Sequence, residues 1–134
     1  MSEPSYHFLT VAHILKIHDK QLELKGGKSG IIQEEYLDSA VNTPPMTFGG
    51  RFLNRDIFGI AAAYLRSLAL DHAFADGNKR TAVGAALVFL ELNGQYLDEI
   101  HQDALTELVL EVACGVADKE VVADFFRTNC RPIR

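Results

Sequence analysis

Tryptophan is absent from this 134-residue sequence, and cysteine (two), methionine (two) and proline (four) are scarce. Two cysteines, Cys114 and Cys130, are too few for a disulfide framework and lack the CxxC spacing of a metal or redox pair. Cys114 falls in an apolar helical run, where a small buried thiol is expected. No stretch approaches the roughly 20 apolar residues of a membrane span. Met1 to Leu9 shows no basic segment leading into an apolar one, so a cytoplasmic chain without membrane contact is expected. Positive charge is also in deficit. Thirteen Lys plus Arg against eighteen Asp plus Glu give a net charge of −5, the wrong sign for a long grip on a nucleic-acid backbone. A local basic site remains open, because a few cations near a helix N-terminus can hold a polyphosphate whatever the overall charge.

What is there reads as an ordinary globular protein: 48% hydrophobic and 23% charged residues can build a core without staples, and the length suits a single domain over residues 1–134. Apolar positions Val11, Ile14, Leu15, Ile17 and Leu22 follow Thr10 at near-helical spacing and end at Gly26-Gly27. A second helix spans about Gln33 to Val41 and stops before Pro44-Pro45. Asn42 to Arg55 reads as a long loop. From Asp56 to about His72 the pattern is apolar around most of its circumference, as in a central buried helix. Helical spacing resumes from Thr81 to Leu92, with Asn93-Gly94 as its cap. Two more helices cover about Gln102 to Ala113 and Asp118 to Phe126, and Gln95 to Leu97 is a weak strand candidate. The expected fold is all-α, a compact bundle around the central helix. Asp98 to Asp103 reads as a solvated face, and Arg127 to Arg134 as a tail that frays or covers a groove. His7, His13 and His101 have no companions at metal spacing.

The chemistry concentrates in His72-Ala73-Phe74-Ala75-Asp76-Gly77-Asn78-Lys79-Arg80, between two buried helices. A helix starting near Asn78 presents unpaired N–H groups and the positive end of its dipole, and Gly77 lets a ligand approach the backbone closely. Lys79 and Arg80 add point charge and a two-pronged donor, and Asn78 a neutral one, for the phosphates of a nucleotide such as ATP. Asp76 is the carboxylate placed to bind Mg2+. His72, four residues earlier, is mostly neutral near pH 7 and can take a proton from an attacking hydroxyl. Phe74 between them is expected to plug into the core. An ordinary helix start carries similar residues one by one, although adjacent cations in a first turn oppose the dipole. A zinc pair of His72 and Asp76 lacks the further ligands it would need.

These residues resemble the signature of the Fic superfamily, His-x-Phe-x-Asp/Glu-Gly-Asn-Gly/Lys-Arg, at every fixed position. Leu9-Thr10, Ile17-His18-Asp19, Gly26-Gly27, Ser39-Ala40, Gly49-Gly50, Ala61-Ala62, Leu90 and Asn93-Gly94 extend the resemblance to the Doc (death-on-curing) branch, over about residues 9 to 126. His18-Asp19 match that pattern, with a surface or packing role as open as a site role. AMP-transferring members have Gly at the place of Lys79 and a further Arg at the place of Val83; both departures are those of Doc.

The resemblance implies an active-site loop at a helix N-terminus and transfer of the ATP γ-phosphoryl group to a protein hydroxyl. By the same resemblance the target is a threonine of translation elongation factor Tu, and the effect is arrested translation. A lysine filling the space left by glycine would suit a nucleotide bound in reversed orientation. A target-docking flap would fall near Pro45 to Arg51. No glutamate here is followed by Gly or Asn, as a self-inhibitory motif requires, so inhibition is expected from a separate antitoxin that inserts a helical segment into a groove. The alternatives are a protein AMP- or NMP-transferase, and a catalytically idle phosphate-binding module acting through its antitoxin.

Overall fold

A computed structural model describes residues 5–28, 30, 33–71 and 74–134. Six helices dominate: α1 (Val11–Lys25), α2 (Glu34–Asn42), α3 (Ile57–Asp71), α4 (Asn78–Leu92), α5 (Gln102–Ala113) and α6 (Lys119–Asn129). Two small antiparallel pairs accompany them, β1 (Thr47–Phe48) with β2 (Arg51–Phe52) and β3 (Gln95–Tyr96) with β4 (Arg131–Pro132). The fold is all-α in character, as its periodicity predicts.

The central helix is α3. Ile60, Ala61, Tyr64, Leu65 and Ala69 are all sealed from solvent, and α2, α4, α5 and α6 pack around it. Asp56 begins it by accepting the Gly59 N–H on Oδ1 at 2.8 Å, a side-chain cap for a donor the helix cannot satisfy itself. Alanines at 82, 85 and 86 let α4 approach α3 closely. On its other side α4 meets α1 at Gly84, where a Cβ would come within 2.7 Å of Ile17 Cγ2. Thr10 and His13 close the start of α1 with a reciprocal capping box, which gives His13 a structural role.

Three expectations need correcting. The stretch from Asn42 to Arg55 is not wholly irregular, because Gly49 and Gly50, both at positive φ (61° and 79°), make the two-residue turn of a hairpin. A turn with both central residues left-handed matches the twist of its strands, and only glycine adopts it freely. The C-terminal tail is tied down: α6 continues to Asn129, β4 pairs with β3, and the Ile133 N–H reaches the Gly94 carbonyl at 2.9 Å. Cys114 is exposed, since the apolar run ends at Ala113 and the cysteine caps α5. Cys130 is half-buried, and burial pushes its thiol up to about 11, away from the reactive thiolate form. No helix among the described residues is long and apolar enough to cross a membrane.

Candidate functional site

The connection from α3 to α4 is closed by its own sequence. Phe74 is 1% exposed and plugs into the core, as the pattern predicts. Asn78, four residues on, clasps its backbone from both sides, accepting the Phe74 N–H on Oδ1 at 3.1 Å and donating Nδ2–H to the Phe74 carbonyl at 3.0 Å. Between them Gly77 sits at φ 78°, ψ 17°, a left-handed conformation that reverses the chain into α4. Gly77 also sends its N–H to Asp76 Oδ1 at 2.8 Å. The N–H groups of Asn78, Lys79 and Arg80 occupy the first turn, where a helix has no internal acceptor for them.

A second wall comes from the segment after α1. Arg80 donates from Nη2 to the Gly26 carbonyl at 3.2 Å, and the Ala75 N–H reaches the Gly30 carbonyl at 3.1 Å. Gly27 lies so near that a Cβ there would come within 2.7 Å of Asp76 Oδ2. Glycine at that place makes room for the carboxylate.

Asp76, Gly77, Asn78, Lys79 and Arg80 all line one cavity of about 690 Å³. It runs along α4 past Val83 and Leu87, with Gln102 and Thr106 of α5 on one flank and Gln21 and Lys25 of α1 on the other. Asp76 and Lys79 are exposed to it, while Asn78 and Arg80 are half-buried. The wall beyond Arg80 is apolar, because Val83 occupies it. The two-way clasp on Phe74 also gives Asn78 a task of its own, closing the loop. His72 lies outside the described residues, so the structure gives no position for the expected base.

The role of His18 was left open by the sequence, and several lining residues were not singled out at all. His18 is 3% exposed and reaches the Asp76 carbonyl through Nε2 at 2.7 Å; its ring stacks on Phe74 at 3.8 Å between centroids, with planes 9° apart. Gln21 and Lys25 follow it at i+3 and i+7, the spacing of one helix face, so that face of α1 could have been found by extending the match at His18. Gln102, Asp103 and Thr106 carried no such signal.

The profile of the Fic/DOC family matches residues 8–90, from just before α1 to near the end of α4. The chain belongs to the Fic/DOC family. Among its relatives, Toxin Doc of Mycolicibacterium smegmatis is 39% identical over 99 residues, covering 73% of this chain and 76% of that protein. Protein kinase doc of Escherichia phage P1 is 29% identical over 114 residues, covering 85% and 88%. Both place this Fic/DOC chain on the Doc toxin branch of the family, as the residues at 79 and 83 imply.

The hairpin β1–β2 lies in the stretch where the resemblance expects a docking flap. Phe48 is 79% and Met46 51% exposed. Phe52, at the hairpin's base, stacks on Tyr6 at 5.6 Å and meets Phe8 edge-on at 5.7 Å; Phe8 in turn stacks on Phe89 of α4. One end is therefore anchored and the other open.

Proposed function

We propose that the chain is a Doc-type toxin that transfers the γ-phosphoryl group of ATP to a hydroxyl of a target protein, elongation factor Tu on the strength of its resemblance, and so arrests translation. The observation that carries this reading is a single cavity in which a bare helix N-terminus, the Asp76 carboxylate, Lys79, Arg80 and Lys25 meet. Backbone N–H groups of the first turn would take phosphate oxygens, helped by the positive end of the helix dipole. Arg80 keeps its guanidinium in place through the Gly26 carbonyl, and its remaining N–H groups can hold a second oxygen pair.

Asp76 fits Mg2+: one oxygen is engaged by the Gly77 N–H, the other is turned toward Gly27, and one hard carboxylate oxygen beside a phosphate cradle is the donor set magnesium uses with nucleotides. Held by Asp76, such an ion would supply neutralisation of phosphate charge. His72, as general base, would accept the hydroxyl proton while the hydroxyl oxygen bonds to the γ-phosphorus and the bond to the ADP oxygen breaks. With Val83 beside Arg80, cationic grip is concentrated at Lys79 and Arg80, which supports holding the transferred phosphoryl group there.

Regulation would come from an antitoxin laying a helical segment in the groove between α1, α4 and α5. The hairpin would pair with the extended backbone of the target. Incubation of the protein and its target with γ-labelled or α-labelled ATP tests the reaction: label on the target from the γ-position alone is expected. Label from the α-position would mean nucleotidyl transfer instead, and label from neither would leave an idle phosphate-binding module.

A further inference from the structure

His18 is a buried histidine 58 residues away from the loop it touches, and nothing in the proposed chemistry uses it. Its partner is a carbonyl oxygen, which only accepts, so Nε2 carries the hydrogen. A buried donor of this kind needs its acceptor, and here the acceptor is the Asp76 carbonyl at 2.7 Å.

The other end of the same peptide unit is also held. Its N–H, on Gly77, goes to Asp76 Oδ1 at 2.8 Å. Turning that plane would break both bonds together. Because Oδ1 is occupied in this way, Oδ2, beside Gly27, is the oxygen with no hydrogen bond from another described residue. The ring of His18 meanwhile covers Phe74 and lies within 3.6 Å of where a Gly77 Cβ would stand. One side chain therefore restrains Phe74, Asp76 and Gly77 at once.

We infer that His18 is a positioning residue for Asp76: its Nε2–H fixes the Asp76–Gly77 peptide plane, and through the Gly77 N–H it selects which carboxylate oxygen is left for a cation. The inference rests on the proposed function for its consequence, but its physical content lies in the nucleotide-free protein. Loss of one such bond corresponds to about a tenfold change in a local equilibrium.

The decisive pair is His18→Phe, which keeps a stacking ring and removes the donor, and His18→Gln, which keeps an N–H donor and removes the ring. Two readouts are needed: hydrogen exchange of the amides of residues 75–78 without nucleotide, and the magnesium concentration required for ATP binding by calorimetry. His18→Phe is expected to raise both by about tenfold at an unchanged melting temperature, with kcat falling more than KM for ATP rises; His18→Gln is expected to recover part of each. Wild-type loop exchange and magnesium requirement in His18→Phe would overturn the inference. If His18→Phe melts early, His18→Gln decides, because loop exchange as fast as in His18→Ala would overturn it equally. A wild-type protein that binds neither ATP nor magnesium would sink the proposed function, and loop exchange would still settle the role of His18.

Discussion

Two short connections in this protein are built in opposite ways. The loop before α4 is held by partners distant in sequence: His18 on the Asp76 carbonyl, Gly26 on Arg80 and Gly30 on Ala75. The hairpin from Thr47 to Phe52 is held chiefly by its own turn and by aromatic contacts at Phe52, leaving Phe48 in solvent. A phosphate site benefits from donors fixed in advance, since reorganisation at the moment of reaction is then small. A surface that must accept another protein's backbone needs open edges and apolar area instead. The difference between the two regions is the one these two proposed tasks would require.

The largest effect should come from the loop's own chemistry. His72→Ala or Asp76→Ala should cut phosphoryl transfer by at least about 100-fold, and circular dichroism should show the helical content unchanged. Retained activity in both would remove the loop from the mechanism.

Gly27→Ala sharpens the comparison, because it disturbs the loop from its second wall. The added Cβ meets the Asp76 carboxylate at 2.7 Å and the backbone sits at φ 123°, which alanine rarely adopts. Activity should fall by about tenfold, on the scale of 1–2 kcal/mol for such strain, with target affinity unaltered. An unimpaired Gly27→Ala enzyme would show that the loop is softer than its contacts suggest.

The hairpin should respond differently. Deleting Met46 to Phe48 should raise KM for the protein target several-fold and leave ATP binding intact, and Phe48→Ala should change stability by less than about 0.5 kcal/mol. Equal losses of nucleotide and target binding would contradict the division of labour.

The smallest effect of pH concerns neither region but the helix that joins them. Burial pushes the Asp56 carboxyl up, but hydrogen bonds from Arg127 and Gly59 and the Arg127 charge outweigh it, leaving the group below its ordinary value. A depressed pKa contributes stability above the unfolded value near 3.9 and loses it as pH falls through the folded one. Melting between pH 6 and pH 3 should show this loss, worth less than about 1 kcal/mol for a partly exposed pair, and Asp56→Asn should flatten it.

The site's local part was legible in the sequence because its chemistry is contiguous. Asp76 to Arg80 belong to one helix start, and Gly77 punctuates it. The central helix was equally plain, since an apolar pattern around a whole helix has only a core to face. His18 was noticed with its role left open between packing and site, because its acceptor is a backbone atom far along the chain, and no side-chain pattern announces a carbonyl. Strands of two residues are too short for an alternation to register, so β1 and β2 were folded into a loop even though Gly49-Gly50 marks a turn. The tail was misjudged for a related reason: β4 exists only through pairing with β3. Cys114 shows the opposite error, an apolar run extended one residue past the helix that contains it.

The most direct test of phosphoryl transfer is the intact mass of elongation factor Tu after incubation with this protein, ATP and magnesium, beside a His72→Ala control. A gain of one phosphoryl group, absent from the control, is the predicted result; a gain of AMP, or no gain with the active protein, would contradict it.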